Sequence, residues 1–368
     1  MNRSLLRLVD WYLVVTVLLL ITTGIVTIYS VTIARGTTAL AFGQLEYAAL
    51  GLLAMTGMAM MDYRRFRSWS IWLYLVGVVL LVGVAVWGAS VFGAQRWLEL
   101  GFFRLQPSEV MKLALVFLSA RVLSAHYGEL KFRELLVFLV LMLLPVILVM
   151  RQPDLGAASV LLFVTGALLV AGRLPRLHWV FLLVSVSIAL PVLFMNLKPY
   201  QIERIQTFLS PASDPYGAGY NVLQSLIAVG NGGLYGRGFG QGTQSQLEFL
   251  PVVHTDFIFA GIAEATGFLG SVLIVGLLGF LVFRTLVIAK RAPDTFGMLV
   301  AVGIAALWAT QFIVNVSMNL GLAPVTGIPL PFVSHGGTAL IINLIALGVL
   351  ESIAIRSRTV GRQLSSRR

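Results

Sequence analysis

Apolar residues fill this chain in long runs, and polar residues collect in the stretches between them. Ten runs approach or reach the roughly 18–20 residues that a helix needs to cross a bilayer. They lie at 12–31, 44–61, 71–90, 108–124, 134–150, 155–172, 178–195, 256–283, 297–320 and 336–355. The pattern predicts an all-α polytopic membrane protein of about ten transmembrane helices, forming a single membrane domain over 1–368. One interval breaks the rhythm. Between the seventh and eighth runs, 196–255 forms a polar, glycine-rich insert too long for a plain connection. Inside it, 221–229 has apolar helical spacing and predicts a short interfacial helix. The following GNGGLYGRGFGQG cannot hold a helix, since each glycine costs about 1 kcal/mol relative to alanine.

Composition agrees with a membrane chain: 58% of residues are hydrophobic and only 11% charged, against about a quarter in a soluble domain. Net charge is +11, but its placement argues against a nucleic-acid partner. If the N-terminus is cytoplasmic, the inner segments hold Arg3, Arg7, Arg64, Arg65, Arg67, Arg121, Lys131, Arg133, Arg173, Arg176, Arg284, Lys290, Arg291 and the arginines from Arg356 onward. Positive charge resists translocation. Both termini are therefore expected inside, with 356–368 as a basic cytoplasmic tail and 91–107, 196–255 and 321–335 together on the outer face. Arg3 and Arg7 precede a run of spanning length with no small-residue cleavage site, so no signal peptide is expected. Cysteine is absent, and the four histidines have no ligand spacing. No metal site is expected from them.

Asp256 is the first candidate for chemistry. An ionisable residue at the mouth of a spanning run is costly in hydrocarbon and reads as functional. Aspartate can also simply cap the eighth helix. Burial would raise its pKa and suit it to act as a general base for a hydroxyl. Glu109 and Lys112, three residues apart, share a face of the fourth run and either line a polar cavity or form a structural ion pair. Asp154, after Arg151-Gln152-Pro153, reads as a helix cap. Lys198 and Arg204 supply outer cations, and arginine can fork a diphosphate as lysine cannot; a solvated loop charge is the competing reading. Arg237 sits among glycines whose N–H groups could cradle phosphate, but Walker spacing is missing. Prolines and glycines break 319–337 at or just below the outer interface, where irregular backbone survives only when buried or lining a wet cavity. Ser334 and the Gly336-Gly337 pair are cavity candidates there, with a tight turn as the alternative.

These segments resemble the shape, elongation, division and sporulation family of bacterial membrane proteins. The matching pieces are QRWLELGFFRLQPSEVMK, RQPDLGAASV, the KPYQIERIQTFLSP run, GYNVLQSLIAVGNGGLYGRGFGQG, FLPVVHTDFIFAGIAEATGFLG and GLAPVTGIPLPFVSHGG. His335 and Thr338 depart from the family pattern. The resemblance implies a peptidoglycan glycosyltransferase that polymerises lipid II at the outer face of the bacterial cytoplasmic membrane, releasing undecaprenyl diphosphate. It implies a class B penicillin-binding protein transpeptidase and other elongation-complex membrane proteins as partners. Asp256 matches the family's essential aspartate, Glu109 and Lys112 its paired charges, and Arg204 its outer-loop arginine. The short N-terminus and KPYQIERI align with the elongation branch. No cofactor is readable, though a divalent cation such as Mg or Mn would suit the leaving diphosphate. Two rival readings are a lipid II flippase and a non-catalytic scaffold for the transpeptidase. The outer placement of the charged features disfavours the first, and a carboxylate at the eighth helix disfavours the second.

Overall fold

The computed structural model describes residues 8–33, 36–91, 94–101, 103–211, 217–247 and 249–365. Arg3, Arg7 and the last three residues of the basic tail lie outside them. Among the described residues, each predicted run forms a helix: α1 Trp11–Thr32, α2 Ala39–Met60, α3 Arg65–Trp87, α4 Pro107–Ala125, α5 Phe132–Arg151, α6 Leu155–Ala171 and α7 Arg176–Met195. After the insert come α11 Ile258–Arg291, α12 Thr295–Asn319 and α13 Gly337–Ser365. Seven of these are long and apolar enough to cross a membrane on those grounds alone; α6 and α7 supply shorter apolar helices. The chain is a multi-pass membrane protein. The eighth run begins two residues later than expected, and the last helix continues to Ser365, carrying much of the basic tail in helical form.

α4 and α12 form the bundle's centre. α4 lies against α3, α6 and α12, while α13 runs along α2 and α11 along α1. Tyr63 and Asp10 show how one end is closed. The Tyr63 hydroxyl donates to Asp294 at 2.6 Å, and Arg284 meets Asp10 at 2.7 Å with Arg358 at 3.3 Å. At the other end the loops carry their own structure. After α3 come antiparallel β1 Ala89–Val91, β2 Ala94–Leu100 and β3 Phe103–Leu105 in the order β1-β2-β3. The third run, expected to reach 90, stops at Trp87 because the chain enters this small sheet. In the insert, α8 Pro199–Leu209 starts with proline at its first position, where the missing N–H costs nothing. α9 Ala218–Asn231 covers the short helix expected over 221–229, and α10 Thr243–Gln246 is a single turn.

The glycines between α9 and α10 have a specific structural use. α11 is broken at Gly267, whose φ of 68° and ψ of −162° lie in a region open only to glycine. A break frees backbone groups that must find partners in an apolar setting. The glycine loop supplies them: Phe268 N–H donates to the Gly233 carbonyl at 2.8 Å, Arg237 N–H to Glu264 at 2.9 Å, and Gly238 N–H to Ala265 at 2.9 Å. Glu264, fully buried, accepts from Gln244 N–H at 2.8 Å and Ser245 N–H at 3.1 Å, which fastens α10 to the same helix. A Cβ on Gly267 would stand 2.7 Å from the Leu234 carbonyl carbon. Gly267→Ala should therefore detach the loop and cost about 2–3 kcal/mol or more, read as a lower melting temperature in detergent and faster proteolysis within 232–242.

Candidate functional site

Asp256 sits in the turn ahead of α11, and the cap of that helix is Phe257, not Asp256. The capping reading is answered by its neighbours. The free N–H of Ala260 is taken by the Asn319 side-chain oxygen at 3.1 Å. Asn319 and Asn315, both fully buried on α12, each donate an amide hydrogen to the Asp256 carbonyl at 3.0 Å. The main chain of Asp256 is thus fixed, and its carboxylate lies near Gly327. The side chain keeps some access to solvent but is closely surrounded by protein. That burial pushes its pKa up to about 6, with Asp154 adding to the rise and Arg96 and Arg204 opposing it.

Those three charges converge from separate elements. Arg204 projects from α8, half-buried, with one guanidinium nitrogen, Nη1, buried and without a hydrogen-bond partner among the described residues. Burial, then the like charge of Arg96, lowers its pKa from the usual arginine value. Arg96 comes from β2. Its Nε donates to the Gln152 carbonyl at 3.3 Å, another nitrogen donates to the Pro153 carbonyl, and Nη1 lies 3.9 Å from Asp154 Oδ1. Asp154 caps α6 as its sequence suggested, accepting from Ala157 N–H at 3.0 Å. Two arginines and two carboxylates, Asp154 and Asp256, share this corner, and the Arg204 guanidinium holds a buried donor without a partner among the described residues.

The remaining candidates divide. Ser334 is drawn to the site but its hydroxyl is occupied: it donates to the Thr255 carbonyl at 2.7 Å and accepts from Leu330 N–H at 2.8 Å. Gln44 on α2 clamps the same stretch, donating to the Ser334 carbonyl at 3.1 Å and accepting from Gly336 N–H at 3.2 Å. The 321–336 segment is therefore tightly tied backbone around Asp256. His335, one of the two departures, donates its N–H to the His254 carbonyl at 2.8 Å; burial and the neighbouring imidazole hold its pKa down to about 4, so its ring is neutral. Thr338, the other, donates to the Arg104 carbonyl at 2.8 Å, joining α13 to β3. Glu109 and Lys112 pair with each other at 2.6 Å and are almost fully buried. Arg237 is exposed, with its Nε on the Asn231 carbonyl at 3.1 Å; its loop serves the α11 break.

Sequence reasoning passed over Arg96, Gln44, Asn315 and Asn319. Arg96 carried a usable signal, a cation in a segment expected on the outer face of a chain whose cations are expected mostly inside. The asparagines carried less, since a polar residue four from another on a spanning helix fits several roles.

The model of the cell cycle protein family FtsW/RodA/SpoVE matches residues 10–359. The chain belongs to this family. It is 42% identical over 319 residues to the peptidoglycan glycosyltransferase MrdB of Escherichia coli K12, covering 86% of each chain. Among solved structures, it resembles a chain from a peptidoglycan synthase complex coordinating polymerization and crosslinking, with a TM-score of 0.81 and 33% identity over 95% of this chain and 98% of that one. It also resembles the rod shape determining protein RodA of Thermus thermophilus, with a TM-score of 0.71 and 29% identity over 94% of this chain and 96% of that one.

Proposed function

We propose that this chain is a peptidoglycan glycosyltransferase that polymerises lipid II, with Asp256 as general base. The observation that carries the reading is a carboxylate whose backbone is pinned by Asn315 and Asn319 and whose side chain stands among Arg96, Arg204 and Asp154. Asp256 takes the proton from the acceptor sugar's C4 hydroxyl as that oxygen attacks the anomeric carbon. The bond from that carbon to the diphosphate breaks, and undecaprenyl diphosphate leaves with the electron pair. Arg204 and Arg96 face the developing negative charge, and fixed charges aimed at a leaving group are often the largest catalytic contribution. Among the described residues no three His, Asp or Glu side chains gather closely enough to hold a metal ion by themselves. The side chains placed to neutralise the leaving diphosphate are Arg204 and Arg96.

Charge placement supports the cytoplasmic membrane, with both termini inside and the site outside. The ends of α11 and α13 and the beginning of α1 share one basic face, holding Arg284, Arg356 and Arg358, while Asp256 lies at the other end of α11. A class B transpeptidase is the partner this reading implies, as in a complex that couples polymerization to crosslinking. The insert, 196–255, then supplies the outer part of the site through Arg204.

The experiment is glycan-strand formation from lipid II by the purified protein with its cognate penicillin-binding protein, the transpeptidase blocked. Wild-type protein should make strands. If it makes none, the flippase and scaffold readings return. Arg204→Lys keeps the charge but loses the fork, and should raise KM for lipid II about tenfold with a smaller change in kcat. An unchanged KM would remove Arg204 from diphosphate binding.

A further inference from the structure

At the opposite end of the molecule from Asp256, α1, α2 and α13 leave a cavity of about 340 Å³ between them. Small-molecule sites commonly start near this size. Its walls are Val14 of α1, Met55 and Ala59 of α2, and Ile355 of α13, with Glu351 and Arg356 as the charged members. Glu351, Ile355 and Thr359 follow at four-residue spacing, so one face of α13 runs the length of the cavity. The depth is that of a membrane interface. Val14 is one turn into α1, Met55 about one and a half turns from the end of α2, and Arg356 and Thr359 lie nearer the polar end.

Glu351 is the unusual feature. It is 1% exposed; Oε2 accepts from Asp10 N–H at 2.9 Å, while Oε1 is buried with no hydrogen-bond partner among the described residues. A buried carboxylate oxygen left unsatisfied is costly and calls for a donor. Arg356, half-buried at the same cavity, is held by the Ser352 hydroxyl at 2.8 Å and faces Asp62 at 3.4 Å. One donor-seeking carboxylate and one cation therefore border an apolar slot at head-group depth.

We propose that this cavity is a binding site for an aminophospholipid. Its primary ammonium donates to Glu351 Oε1, its phosphate lies toward Arg356, and an acyl chain follows Val14, Met55 and Ile355. The ammonium is the discriminating group, because a trimethylated head group has the same charge and phosphate but no N–H to give.

Native mass spectrometry of the purified protein, with phosphatidylethanolamine, phosphatidylcholine and phosphatidylglycerol of equal chains in competition, tests this. Phosphatidylethanolamine should be retained about tenfold more strongly than the other two, the worth of one charge-assisted hydrogen bond. Glu351→Gln keeps an acceptor for Asp10 N–H and should bring phosphatidylethanolamine down to the phosphatidylcholine level. Ala59→Phe, which fills the slot without touching the carboxylate, should remove retention. Equal retention of the three lipids by the wild-type protein overturns the proposal whatever the variants do. So does a preference that survives both substitutions.

Discussion

Asp256→Asn should reduce lipid II polymerisation by about a hundredfold or more, the usual worth of a positioned general base, while leaving the fold intact. The substitution keeps the backbone carbonyl that Asn315 and Asn319 hold, so the melting temperature should move little. The wild-type pH profile follows from the same environment. As the proposed general base Asp256 must be deprotonated, and burial raises its pKa to about 6, so kcat/KM should rise with pH through about 6 and level off above it. Arg96→Gln removes a charge that pulls this pKa down. Its profile should therefore shift to higher pH, with activity at neutral pH falling partly through protonation. An Asp256→Asn variant that polymerises normally would place the base elsewhere.

Lys112→Met should destabilise the bundle by about 3–5 kcal/mol, because it leaves Glu109 charged and alone in the interior. Both partners are almost wholly buried, with Nζ and Oε1 at 2.6 Å. Removing both charges, as in Glu109→Gln with Lys112→Met, should recover much of the loss, since a neutral pair no longer pays desolvation. Thermal unfolding in detergent of the two single variants and the double variant measures this directly. A Lys112→Met protein that melts like wild type would mean that the pair does not hold α4 in place and would leave a substrate role as its reason for being there.

The membrane helices were legible because each is an uninterrupted apolar run, and length plus composition decide such segments. Asp154 was legible as a cap because the preceding turn and the apolar run after it leave few alternatives. What could not be read is whatever depends on a partner far along the chain. Nothing near Asp256 in sequence announces that Arg96, 160 positions earlier, and Arg204, 52 earlier, share its corner. Nor does the run from 256 to 283 show a break at Gly267, because the glycines that complete it belong to the preceding loop. Those glycines suggested phosphate binding; in the structure Gly238 N–H donates to the Ala265 carbonyl, Gly240 N–H to the Ser30 hydroxyl, and the Gly233 carbonyl accepts from Phe268 N–H. Ser334, expected as a cavity residue, has its hydroxyl taken up by the backbone of Leu330 and Thr255.

The break in α11 also bears on how the protein is built. Residues 258–266 make nine positions and residues 268–291 make twenty-four, while a bilayer crossing takes about twenty. Only the second piece is long enough to partition into lipid unaided as it leaves the insertion machinery. The first piece, carrying the buried Glu264 and leading back to Asp256, is too short to hold that depth alone. It is held at that depth by the glycine loop and α12, so the site depends on packing that the apolar length of α11 alone does not supply.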